Sequence, residues 1–316
     1  MDQQLTDGPG VAVPVHVPRA TGPWRRVHDD LTGLGHAVVH TTWGEWLPAA
    51  LAQPRLRRLL GRDWTRYRRT PDPTVRYRFL ASRLLIKYTA AAALRVQPEA
   101  LDLAYRLGGR PYLRGFDQVD VSLTHTGDLL AVGLSRLGRI GIDAEPADRR
   151  MRFDLLRAQM CTPTEAAELA PLPEGRQTAE TLRLWTLKEA YTKALGQGMR
   201  LGFTEFGFSL RTGRLQSPDG SPASRGEWSF ATHPVQGRYL LSVARHDAGL
   251  DPAHDTSART MLDPGFLSLM ASRPEQPPPG RAHAAAPVPL APASRPAGRG
   301  ATGGDGPATF GAVHEY

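Results

Sequence analysis

Three runs between residues 119 and 146 constrain the fold most: VDVSLTHTG (119–127), LLAVGLSR (129–136) and IGIDAEP (140–146). The first alternates apolar and polar residues as a half-buried strand does, LLAVGLSR reads as its neighbouring strand, and Pro146 stops the third run. Long helical stretches flank them. VRYRFLASRLLIKYTAAAALRV (75–96) is rich in alanine and leucine and lacks glycine and proline, and 179–195 forms another long helix ended by GQG. GGRP at 108–111 breaks the first pattern, CTPTEAAEL (161–169) begins like a helix capped by Thr162 or Thr164, and FTEFGFSL and RYLLSVARH supply late strands. Helix, glycine break and strands occur in that order from 75 to 136 and again from 179 to 245. The repeat predicts a duplicated α+β chain whose two similar lobes meet at a cleft.

Composition sets the boundaries. Residues 1–22 are polar and punctuated by glycine and proline, which predicts a flexible tail; 23–136 and 137–247 hold the two α+β lobes. Residues 248–316 are mostly a Pro/Ala/Gly-rich tract that buries too little surface to offset its ordering entropy, so disorder is expected, with a short docking helix at 260–272 as one option. A single cysteine, Cys161, excludes an intramolecular disulfide and a paired-cysteine metal site. No apolar run approaches the roughly 18 residues needed to cross a bilayer, and the N-terminus lacks a secretory pattern, so a cytoplasmic protein is expected.

The 39 basic and 31 acidic residues leave a formal charge of +8, which favours anionic partners: phosphates, nucleic acid or an acidic protein surface. Arginine dominates, and Lys87, Lys188 and Lys193 are the three lysines. Arginine stays protonated at any working pH, whereas lysine gives up a proton when its surroundings lower its pKa, so a retained lysine fits proton transfer. In WTLKEAYTKAL, Trp185, Glu189 and Lys193 are spaced by four along one helical stripe; an i,i+4 ion pair is the plainer alternative. In GIDAEP, Asp143 and Glu145 share one strand face and repel unless a cation lies between them, although two arginine-binding acids would give the same pattern. With Glu189 they form a candidate set of hard oxygen ligands suited to Mg²⁺ and phosphate. Thr124 and His125 lie on the strand before, Arg110 follows two glycines, and the arginines from 55 to 69 form a basic run around Trp64 and Tyr67.

GGRPYL, VSLTHTGD, GIDAE and LWTLKEAYTKALGQG, in this order and spacing, resemble the 4′-phosphopantetheinyl transferases of the surfactin-synthetase-activating type over about residues 40–245. The resemblance implies a pseudo-dimer of two α+β lobes in one chain, acting as a monomer. It further implies Mg²⁺-dependent transfer of the phosphopantetheine arm of coenzyme A to a serine of an apo acyl or peptidyl carrier protein, releasing adenosine 3′,5′-bisphosphate. Neither nucleic acid nor membrane is then a partner. Carried over by position, Asp143, Glu145 and Glu189 hold the metal, and Glu189 also takes the serine's proton. Lys193 contacts phosphate and protonates the leaving group, Lys188 is the other lysine of that motif, and His125 meets the 3′-phosphate. Thr124 stands where the family often has serine and Arg110 where it has lysine; both substitutions keep a phosphate contact. Arg62, Arg78 and Arg83 fall near the family's other phosphate-binding positions. Two alternatives remain from the residues themselves: a basic nucleic-acid-binding protein, and a Mg²⁺-dependent phosphohydrolase using the same site.

Overall fold

The computed structural model describes residues 10–106 and 108–249. The expected C-terminal disorder beyond residue 249, the docking helix at 260–272 and the first nine residues of the expected N-terminal tail lie outside these.

The described chain runs β1 (Val15–His16), α1 (Trp24–Gly33), β2 (His36–Thr42), α2 (Trp43–Leu51), α3 (Leu56–Leu60), α4 (Trp64–Arg69), α5 (Pro73–Leu94), β3 (Leu103–Tyr105), β4 (Pro111–Leu113), β5 (Asp120–Thr126) and β6 (Leu129–Ser135). It continues with β7 (Ile140–Pro146), α6 (Phe153–Met160), α7 (Pro163–Leu169), α8 (Glu174–Leu195), β8 (Gly207–Phe208), β9 (Leu215–Gln216), β10 (Trp228–Val235) and β11 (Tyr239–His246). This is an α+β fold. One sheet has the order β1-β2-β6-β5 and a second the order β10-β11-β7, with β1–β2 parallel and the other pairs antiparallel. Two short ribbons, β3-β4 and β8-β9, complete the strands described.

Each long helix starts and stops for a local reason. At α5 the Asp72 carboxylate accepts from the Val75 amide at 2.8 Å and Pro73 opens the first turn, while Arg95 in the left-handed region closes the last. Helix α8 ends where Gly196 takes φ 70°, matching the break expected from GQG. Helix α7 carries a reciprocal cap: the Glu165 amide donates to Thr162 Oγ1 at 3.2 Å and the Thr162 amide to Glu165 Oε2 at 2.8 Å.

The two sheets face each other across a layer built from both halves of the chain, including Val38, Leu129 and Ala131 from one and Ile140, Ile142, Ala144, Leu241 and Val243 from the other. Their edges are joined by side chains. The Ile140 amide donates to Asp120 Oδ2 at 2.8 Å and the Ile142 amide to Ser122 Oγ at 3.1 Å, so β5 satisfies the open edge of β7 without a backbone ladder. Gly133 makes room, since a Cβ there would stand 3.0 Å from Ile140 and 3.1 Å from Ile142.

Two expectations need correction. FTEFGFSL is mostly a 3-10 turn (Phe203–Glu205) followed by the two-residue β8, too short for the strand expected. The flexible tail expected over 1–22 does not extend through residues 12–17, because Ala12 and Val17 are buried and β1 pairs with β2. The Ala12 amide donates to Nε2 of the fully buried His36, whose Nδ1 donates in turn to the Leu34 carbonyl at 3.0 Å.

That arrangement predicts acid sensitivity. Burial lowers His36 from 6.5 to about 4, and burial together with His16 does the same to His40. Unfolded histidine takes up a proton first as pH falls, so this contribution to stability is complete above pH 6.5 and is lost on acidification towards pH 4. For His36 the shift corresponds to ~3 kcal/mol. Calorimetric melts should show a midpoint falling steeply between pH 6.5 and 4, and His36→Gln, which still accepts from Ala12, should flatten that slope.

Candidate active site

Strand β7 sends alternate residues to opposite sides. Ile140, Ile142 and Ala144 enter the inter-sheet layer, so Gly141, Asp143 and Glu145 face α8. Helix α8 lies so close to β7 that a Cβ on Gly141 would stand 1.9 Å from the Ala190 carbonyl oxygen and 2.4 Å from the Ala194 amide nitrogen. Glycine in the strand is what allows this approach, and the approach brings the helix side chains onto the strand's carboxylates.

Lys193 Nζ donates to Asp143 Oδ1 at 2.7 Å, and Thr124 Oγ1 donates to the same oxygen at 3.2 Å. Asp143 and Glu145 are buried. Glu145 is ion-paired to Arg149, whose guanidinium also lies 5.8 Å from the Trp185 ring centre. Burial and the charges of Asp143 and Glu145 push Glu189 up to about 7, against the opposing pull of Lys193. Asp143, Glu145, Glu189, Lys193 and Thr124 therefore form one electrostatic cluster. Three carboxyl groups face the two cations Lys193 and Arg149, and hard oxygens of this kind fit a divalent cation chemically. Among the described residues no three acidic, imidazole or thiol groups already stand in metal-holding positions, and Lys193 and Arg149 are paired to the strand carboxylates.

Three other expected site residues, Lys188, Arg110 and Arg83, are placed differently. Lys188, one residue from Glu189, points about 100° away around the helix and is fully buried. It pairs with Glu165 at 2.7 Å and donates to the carbonyls of Phe203 at 2.5 Å and Phe206 at 2.8 Å, so it ties α8 to α7 and cannot also meet a phosphate. Arg110 donates to the Lys193 carbonyl, to the Ile140 carbonyl at 2.7 Å and to Asp120 at 2.6 Å. It clamps the end of α8 to the start of β7, in place of the phosphate contact expected. Arg83 is buried against Asp63 at 3.5 Å and between the Phe79 and Tyr105 rings, which removes it from the expected phosphate set too. Arg62 is exposed, 3.9 Å from Asp102, and Arg78 is half-buried on α5. His125 is half-buried and, by strand alternation, faces away from Thr124.

Residue-by-residue reasoning missed Arg149, Glu165 and the Asp120–Ser122 edge. The Thr-x-x-Glu cap pattern at Thr162 was a usable signal for Glu165; Arg149 and Asp120 carry none, being placed by a turn and by a neighbouring sheet.

Residues 139–244, which contain β7, α8 and β11, match the model of the 4′-phosphopantetheinyl transferase superfamily. Among individual relatives, the 4′-phosphopantetheinyl transferase of Bacillus subtilis is 26% identical over 147 residues, 46% of this chain and 64% of that protein. The Nostoc 4′-phosphopantetheinyl transferase HetI is 30% identical over 130 residues, 40% of this chain and 55% of the relative. A phosphopantetheinyl transferase from Thraustochytrium is 28% identical over 225 residues, 66% of this chain and 78% of its own length. The chain thus spans about 55–64% of the first two relatives, and the third match extends well beyond residues 139–244.

Proposed function

We propose that the protein is a two-lobed 4′-phosphopantetheinyl transferase of the surfactin-synthetase-activating type, acting as a monomer. It moves the phosphopantetheine arm of coenzyme A to a serine of an apo acyl or peptidyl carrier protein. The observation that carries this reading is the convergence of Asp143, Glu145, Glu189 and Lys193 between β7 and α8, inside the segment matching the superfamily. The duplicated architecture is supported by a 22-residue helix in each half, α5 and α8, although the sheets of the two halves differ in strand number.

In this reading Asp143, Glu145 and Glu189 hold Mg²⁺, which supplies charge neutralisation on the diphosphate of coenzyme A. The serine hydroxyl oxygen forms a bond to the β-phosphorus, the phosphoanhydride bond breaks, and adenosine 3′,5′-bisphosphate leaves. Glu189 takes the serine proton. Lys193, anchored on Asp143 and Thr124, holds its ammonium proton where the leaving phosphate gains charge. Thr124 spends its one hydroxyl proton on Asp143 and accepts from Lys193, so it positions that pair in place of the phosphate contact expected, while exposed Arg62 and half-buried Arg78 remain as phosphate contacts.

Intact-mass measurement of several apo-carriers after incubation with the protein, coenzyme A and Mg²⁺ tests this directly. The expected result is an added phosphopantetheine on at least one carrier. Release of adenosine bisphosphate without any carrier would replace transfer by hydrolysis. Salt-sensitive binding to random nucleic acid with no coenzyme A consumed would replace it by a nucleic-acid role for the exposed arginines of residues 55–69.

A further inference from the structure

We propose that Arg149 is a counter-cation latch on Glu145: it competes with a divalent ion for that carboxylate and so sets how tightly the site takes one. The inference rests on the metal assignment above and concerns a residue outside that set.

Glu145 cannot stand alone, since its side chain is 4% exposed and a buried carboxylate without a cation is costly. Its partner is held less firmly: the Arg149 side chain is 37% exposed. The chain folds back immediately after β7, with the Arg149 amide donating to the Pro146 carbonyl at 3.0 Å, and this turn delivers the guanidinium onto Glu145. The Trp185 ring, one helical turn before Glu189, lies beside the same guanidinium. Arg149 thus sits between Glu145 of β7 and Trp185 of α8, partly open to solvent. Asp143 differs, because its cation, Lys193, is 12% exposed and belongs to the proposed chemistry. A divalent ion that takes Glu145 as a ligand competes with Arg149 for that carboxylate, and a displaced, half-exposed guanidinium returns to solvent at little cost.

The test is Mn²⁺ binding to the full chain without coenzyme A, read from the free-ion electron paramagnetic resonance signal. Arg149→Ala should bind Mn²⁺ about tenfold more tightly than wild type, a loss of competition worth roughly one ion pair. Arg150→Ala is the control, because Arg150 is exposed and removes the same charge next door; it should stay within about twofold. Arg149→Gln guards against a local effect of truncation and should follow Arg149→Ala. Circular dichroism confirms that each variant is folded. Equal affinity in wild type and Arg149→Ala, or equal tightening by Arg149→Ala and Arg150→Ala, overturns the latch while leaving the metal assignment standing. Absence of Mn²⁺ binding in every form, wild type included, overturns the metal assignment and the latch together.

Discussion

Gly141→Ala should yield a protein that is unfolded or severely destabilised, by roughly 4 kcal/mol or more, with no measurable transfer. The added methyl would meet the Ala190 carbonyl oxygen at 1.9 Å and the Ala194 amide at 2.4 Å, and both atoms belong to helix backbone. A flexible side chain could swing aside, but backbone cannot, so the helix must lift from the strand. Lifting α8 separates Lys193 from Asp143 and opens the contacts that Ala190 and Ala194 make with Ala244. It also pulls against the Arg110 clamp, which fixes the last turn of α8 to β7 through the Lys193 and Ile140 carbonyls. Thermal melts by circular dichroism compare this variant with Gly133→Ala. The latter meets side-chain atoms, Ile140 Cδ1 at 3.0 Å and Ile142 Cγ2 at 3.1 Å, in place of helix backbone and should cost distinctly less. A Gly141→Ala protein melting within a few degrees of wild type would mean that the helix does not lie where the structure has it.

Much of this arrangement is written locally in the chain. Periodicity marks β5, β6, β7, α5 and α8, and the i,i+2 acids of β7 with the i,i+4 pair of α8 point to the cluster found. What stayed hidden depends on distant partners. His36–Thr42 is an almost continuously buried central strand, so it shows no alternation, and Pro234 obscures β10, which tolerates it as a sheet edge. Lysine scarcity singled out Lys193, which lies against Asp143, and Lys188, which lies buried on Glu165 instead. The Lys87 and Lys188 ammonium groups are buried donors to carbonyls, from Leu59 in one case and from Phe203 and Phe206 in the other. A compact ammonium suits such cages better than a planar guanidinium, so burial alone accounts for keeping lysine there. Arg83 and Arg110 mislead likewise: arginine beside glycine or on a helix suggests an anion, but Asp63 and Asp120 come from elsewhere in the chain and claim them.

Asp143→Asn should lower transfer by at least ~10³-fold while leaving the protein folded. The side chain is nearly isosteric, so packing at this buried position survives, and the loss is one of charge. Two consequences follow from the geometry. The Lys193 ammonium loses the carboxylate that holds it at 2.7 Å, and the cluster loses one of its two buried strand carboxylates. Lys193→Arg separates these consequences. It keeps a cation for Asp143 and phosphate but removes the compact, titratable ammonium, so coenzyme A binding should persist while kcat falls. Steady-state kinetics with a responsive apo-carrier, alongside thermal melts, distinguish the two. Asp143→Asn should fail at any attainable Mg²⁺ concentration, whereas Lys193→Arg should show a lowered kcat with KM for coenzyme A nearly unchanged. Near-wild-type transfer by a folded Asp143→Asn protein would place the chemistry away from the junction of β7 and α8, and with it the function proposed for the whole chain would fail.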